Sequence, residues 1–438
     1  MGEVILPDFD YEQREPRQHS VVKETTVAVI PLNTPILKGK EIEFNVTESE
    51  HFTSLHETKL KLTCKVTKKA KAACDHANTD TTLKDRVAPI NNVFHSMFSK
   101  VCVYINGHLA EMSDNYPYKA YLSTLMSYDK NVMDARGVLT GWSKDTAKHM
   151  DIAASDSTNA GSVARGASFA SSKTVTMIGR LMSDMFMQGR SIPPQTKIRV
   201  VLYPALDSFV LMAPASKEYE MHIESAELLI LRQQTPAALV QAYNTHTAKR
   251  NLKLNYRRTE VTSHNIKGSK KEEVTLFAQP AEVPDRILLG FVTNKAYAGQ
   301  FEYNPFNFQH FDYQSIQISV DGQNYPNLPY TPDFGNTEDY LPLYDSFLRE
   351  FNADNENHMI NVTATEYANG YTLFPFRLVP RACCGDVLGE PLSGSVKLSL
   401  MKKAESTETL TLIVLSEYRS VYEISPVGGV SSEPKQQE

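Results

Sequence analysis

Cysteine and tryptophan are scarce in this chain: 438 residues carry five cysteines and one tryptophan, and no run of 18 uninterrupted apolar residues occurs. The cysteines stand at 64, 74, 102, 383 and 384. An odd count, one adjacent pair and no C-x-x-C argue against a disulfide framework and against a zinc site. Folding in a reducing compartment is the simplest expectation, and the Asn-Val-Thr sequons at Asn45 and Asn361 are then chance matches. Cys383 and Cys384 are expected as two separate thiols, because neighbouring cysteines rarely close a disulfide without strain. With no long apolar run, no membrane span is expected. The opening Met1–Pro7 lacks the apolar core of a secretory signal, and Leu6 stands where a myristoylation pattern wants Ser or Thr.

An excess of positive charge is also missing. The net charge is -6 and the pI about 6.1, which gives no basic footprint, so sequence-specific nucleic-acid binding is not expected. The short basic runs Lys65–Lys71 and Lys267–Lys271 read as solvated loops.

Catalytic patterns are absent as well. There is no GxSxG elbow, HExxH, phosphate-binding loop or GxGxxG. Leu37-Lys-Gly-Lys40 lacks the second Gly and the hydroxyl residue of a phosphate loop. His51 and His56 have no third ligand in sight. Asp184 and Arg190 flank Met185–Gly189 and read as a surface or interface segment. Trp142, after Gly141, is expected to pack under the small-residue loop at 152–174, with a ligand platform as the alternative. No carboxylates form a close pair at alternate strand positions. No catalytic residue, metal ligand or cofactor is therefore expected, and the chain is read as not an enzyme.

What the chain does contain is strands. Thr58–Val66 sets Leu60, Leu62 and Cys64 on one face and Lys59, Lys61 and Thr63 on the other, the period of a half-buried antiparallel strand. Thr25–Ile30, Glu41–Val46, Lys197–Tyr203 and Tyr219–Leu231 read likewise. Lys100–Ala110 holds Asn106-Gly107, a strong hairpin signal because both turn positions tolerate positive φ. The pattern restarts at Glu273–Phe277, Arg286–Val292 and Ser315–Val320. It closes with Tyr371–Phe376, Ser395–Leu400, Thr407–Glu417 and Val421–Ile424.

Roughly 13–16 short strands suit two sandwiches of about eight strands each. Helices are expected at Tyr118–Met126, Pro236–Tyr243 and Asp339–Phe351, all in connections. The fold class is thus all-β: two consecutive eight-stranded antiparallel sandwiches, over residues 1–235 and 252–425. A linker with a helix fills 236–251, and a flexible tail covers 426–438. Residues 152–174 are rich in Ser, Ala and Gly, and are expected as a mobile loop. Phe301–Tyr313 packs six aromatics into thirteen positions. It reads equally well as an assembly interface or as a loop folded on its own core.

An ordered set of motifs adds a resemblance. Asp85–Asn106, Asn115–Tyr128, Gly179–Gln188, Tyr303–Asp312, Val320–Gln323, Gly370–Phe374 and Leu412–Glu417 together resemble the capsid genes of Polinton (Maverick) elements and adintovirus-like DNA viruses. The resemblance runs from about residue 85 to 425. It implies a double jelly-roll major capsid protein, each sandwich being one jelly roll. The implied assembly is a homotrimeric, pseudo-hexameric capsomer that contacts neighbouring capsomers and a minor capsid or vertex protein. Its place would be the virion capsid, after synthesis in the host cytoplasm or nucleus. Two readings compete with it. One is a single jelly-roll minor capsid or vertex protein with a receptor-binding domain, in which only one half forms a jelly roll. The other is a β-sandwich carbohydrate-binding or carbohydrate-acting protein, which as an enzyme needs two carboxylates facing one cleft.

Overall fold

A computed structural model describes residues 21–69, 72–74, 85–152, 158–214, 218–247, 252–335, 339–352, 360–379, 393–405, 408–424 and 430–432. In the first half the sandwich strands are β1 (Lys23–Val29), β2 (Ile42–Val46), β3 (Phe52–Lys68), β4 (Phe98–Ile105), β5 (His108–Ser113), β6 (Val175–Gly179), β7 (Ile198–Pro204) and β8 (Tyr219–Gln234). In the second they are β9 (Leu252–Ile266), β10 (Lys271–Glu282), β11 (Arg286–Thr293), β12 (Tyr313–Val320), β13 (Gln323–Tyr330), β14 (Leu373–Arg377), β15 (Ser393–Lys402) and β16 (Leu410–Ile424).

The first half folds into two four-stranded sheets, ordered β1-β8-β3-β6 and β2-β7-β4-β5. The second half repeats both orders with every label raised by eight: β9-β16-β11-β14 and β10-β15-β12-β13. This is the jelly-roll arrangement twice over, with the first strand of each half beside its last.

Local chemistry explains the individual strands. On β3, Leu60, Leu62 and Cys64 are buried while Lys59 is exposed. The β4–β5 hairpin turns at Asn106 and Gly107, with φ of 51° and 84°. Three strands carry weak alternation and stand outside the sequence expectation: β6, β9 and β13. All three lie at sheet edges, where one side of the ladder is free and composition is less constrained. In β13, Pro326 and Pro329 are tolerable only because an edge strand has spare donors.

Helices occupy the long connections: α1 (Tyr116–Ser127), α2 (Lys130–Arg136), α3 (Ala160–Ser168), α4 (Asp184–Met187), α5 (Ala237–Thr247) and α6 (Leu341–Asn352). The chain is therefore built on β-sandwiches without being strictly all-β. Three of these helices match those expected near 118, 236 and 339. On α6, Leu343 and Phe347 are buried, as the helical spacing requires.

Two expectations need correction. The segment 152–174, read as a mobile loop, contains α3, whose Gly161, Ser162, Arg165 and Gly166 are buried. Small residues here permit close approach: a Cβ on Gly161 would lie 2.2 Å from the Lys144 carbonyl oxygen. Within the tail 426–438, Val430–Ser432 pairs antiparallel with Tyr422–Ile424. Cys383 and Cys384 lie outside the described residues.

The two hydrophobic cores are not fully separate. That of the second sandwich takes in Tyr118, Tyr121, Leu122, Leu125, Trp142 and Met150 from the first half. That of the first takes in Leu254 and Tyr422 from the second.

Candidate functional site: the seam between the sandwiches

The long connection from β5 to β6 leaves the first sandwich and lays α1 against the second. Tyr118 and Tyr121, one turn apart on α1, point the same way. Tyr121 stacks on Phe306 with centroids 4.0 Å apart and planes 5° apart. Its ring also stacks on Trp142 at 5.5 Å. Tyr118 meets Phe306 edge-on at 5.7 Å and stacks on Tyr297 at 6.0 Å. Each such contact contributes roughly 0.5–1.5 kcal/mol beyond area burial. Phe306 and Phe308 are fully buried, so the centre of the aromatic run 301–313 is intramolecular core at the seam. Trp142 belongs to the same stack.

Two buried ionic clusters flank this aromatic centre. In the first, Asp145 Oδ1 accepts from Arg165 Nη2 of α3 at 2.6 Å and from the Asn159 amide at 3.0 Å. Asp145 Oδ2 accepts from the Asn304 amide of the second half at 3.2 Å. The Tyr371 hydroxyl, also of the second half, donates to the Asp145 carbonyl at 2.7 Å. Arg165 uses its remaining donors on the carbonyls of Pro89, at 2.8 Å, and Ser143. That planar fork of donors lets one side chain tie α3 to the Pro89 segment and to the Ser143–Asp145 segment.

The second cluster holds Glu111 on β5, Lys119 on α1 and Asp184 on α4. Lys119 Nζ lies 2.9 Å from a carboxylate oxygen of each acid, and donates to Ser113 Oγ at 3.0 Å. The three side chains are 3–6% exposed. Glu111 also accepts from the backbone N–H groups of Asp184 and Met185, both at 2.9 Å, and from the hydroxyls of Ser113 and Ser183. Asp184 Oδ2 accepts the backbone N–H of Thr259 at 2.8 Å. Thr259 lies on β9, the edge strand of the second sandwich, so this cluster also crosses the seam.

The charges respond differently to the same burial. For Glu111, burial opposes ionisation, but Lys119 and the hydrogen-bond donors outweigh it and hold the carboxyl below its usual range. Burial also opposes the Lys119 charge, yet the two acids keep its pKa above the ordinary lysine value. Asp184 is pushed up to about 7, first by burial and further by Glu111, against the pull of Lys119 and the Thr259 N–H.

The other residues singled out from sequence are dispersed. Among the described residues, no group of three or more His, Cys, Asp or Glu is placed to hold a metal ion. The His56 ring lies against Arg180 Nη1 at 2.9–3.0 Å, and His51 does not join it there. Arg190 donates to the Lys253 carbonyl at 3.4 Å, away from the buried Asp184. Lys38 pairs with Asp207 and Glu220, each at 2.7 Å. Cys64, Cys74 and Cys102 are buried, and burial pushes the Cys64 thiol up to about 12. Glu111 and Asp184 are a close carboxylate pair, but both are buried rather than open to a cleft. Glu111 and Lys119 gave no signal in sequence, because strand and helix periodicity do not reveal which polar side chains become buried together.

No family model matches the chain. An uncharacterized protein of Caenorhabditis elegans, F54H12.2, is 24% identical over 391 residues, covering 86% of this chain and 89% of that one. Solved structures agree with the fold over nearly the whole length. A chain of the Sputnik virophage matches 100% of this chain and 94% of its own, with TM-score 0.62 and 10% identity. PBCV-1 VP54 matches 97% and 99%, with TM-score 0.59 and 8% identity. The mavirus major capsid protein matches 100% and 96%, with TM-score 0.54 and 12% identity. The fold is the viral double jelly roll.

In this double jelly roll the seam contacts fix how one roll sits on the other. Buried ion pairs seldom add net stability over apolar packing, whereas losing one partner costs about 3–5 kcal/mol. The reading in which only one half is a jelly roll is overturned by the two identical strand orders.

Proposed function

We propose that this chain is a major capsid protein whose work is assembly, not catalysis. One observation carries the reading: the same eight-strand order occurs twice in succession in a single chain. Three such chains around a threefold axis present six near-equivalent lobes, which is how a closed homotrimer forms a pseudo-hexameric capsomer. Neighbouring capsomers and a minor capsid or vertex protein would complete an icosahedral shell around DNA. The placement is the virion, with synthesis in the host cytoplasm or nucleus. The division into rolls at 1–235 and 252–425, with 236–251 between them, belongs to this reading. The ordered motifs from 85 to 425 support a Polinton or adintovirus-like lineage. Large apolar side chains exposed on the single chain, among them Leu328 at 80% and Val138 at 74%, are the kind that subunit contacts cover.

Light scattering on the purified full chain tests the proposal. The expected mass is three times the 49.1 kDa of one chain, with a hexagonal outline in negative stain. A monomer that persists at high concentration would overturn it.

A further inference from the structure

We propose that the Glu111–Lys119–Asp184 cluster is a proton-operated latch between the two jelly rolls, closing when Asp184 takes up a proton and loosening when it loses one. The proposal stands on the fold and does not depend on assembly.

The geometry sets two carboxylates against one ammonium in a site sealed from water. Glu111 is provided for as an anion, since Lys119, two hydroxyls and two backbone N–H groups converge on its oxygens. Among the described residues, Asp184 receives only the shared Lys119 and the Thr259 N–H. With both acids ionised the cluster carries an uncompensated negative charge at the seam. With Asp184 protonated it is neutral. The strand that Asp184 grips is an edge strand, whose outward N–H groups have no ladder partner, so the contact is a point where one roll can part from the other.

The neighbours of Asp184 come from every element around it. On α1 there are Lys119 and, beyond Glu111, Tyr116. On β9 the half-buried Tyr256 feels both acids, and Arg258 is committed to Glu260 and Glu282. Strand β3, also packed on α4, buries Leu55 and Thr58, while its acid Glu57 is exposed and His56 half-exposed. His95, behind Tyr116 in the first core, is pulled down to about 3 by burial. It remains buried if only the seam opens.

The sign follows from linkage. A carboxyl held at about 7 in the closed seam, chiefly by burial, and falling back toward its ordinary 3.8 once water reaches it, stabilises the closed seam fully below the lower value. That stabilisation is lost as pH rises through the higher one. Opening should therefore increase about 20-fold from pH 5.5 to 7.5 and level off above pH 8.

Hydrogen–deuterium exchange of the Thr259 amide in the full-length protein, corrected for the intrinsic chemical rate, measures that opening. The rise is expected in the wild type, and less than about twofold change in Asp184→Asn. A flat wild-type profile, or the full rise retained in Asp184→Asn, would overturn the latch. If Asp184→Asn does not fold, Glu111→Gln decides: removing the charge that helps hold Asp184 up should move the rise to lower pH, and a rise that stays in place refutes the proposal.

Discussion

Two ionic clusters lie at the same seam, at similar depth, with opposite characters. At Asp145, one carboxylate meets one guanidinium, and side-chain amides supply further donors. At Asp184, two carboxylates share one ammonium. Arginine brings a rigid fork of donors, so Arg165 closes its cluster and anchors α3. Lysine brings a compact point charge, and Lys119 leaves one acid short of full compensation. Burial alone does not decide whether a charge cluster is structural or titratable. The balance of charges and donors decides.

Breaking each cluster sharpens this contrast. Arg165→Met strands the Asp145 carboxylate with no guanidinium, and should destabilise the protein by about 3–5 kcal/mol in urea denaturation. Lys119→Met should cost as much at pH 8, but less at pH 5.5, because Asp184 can then take up a proton and remain buried as a neutral acid. A Lys119→Met penalty independent of pH would place Asp184 and Arg165 in the same class. Gly161→Ala probes the approach of α3 to the Asp145 cluster without changing charge. Its Cβ would meet the Lys144 carbonyl, and the expected loss is about 1–3 kcal/mol, read from the same denaturation curves.

Much of the architecture was legible from local pattern. Alternation marked β3, and Asn106-Gly107 marked the β4–β5 turn. The restart of strands after α5 pointed to a second sandwich. Edge strands were the weak point. Arg257, Arg258 and Glu260 on β9 look like loop residues, because that strand is only partly covered. The segment holding α3 was misread for a different reason. Its lack of apolar bulk suggested that nothing there could pack, yet alanine favours helix, and a single buried arginine with the close-packed Gly161 docks it. The aromatic run 301–313 left two readings open, and its stacking with Tyr121 assigns its centre to the protein's own core.

By itself the sequence determined the kind of sandwich and most of its strands, because strand alternation, turn chemistry and helix spacing act over a few neighbouring residues. Only the tertiary structure decided which charges share a buried site. Glu111, Lys119, Asp184 and Thr259 come from four separate elements. The raised Asp184 carboxyl arises first from burial among these elements and further from the charge of Glu111, and that burial is complete only when β9 of the second roll is packed against α4.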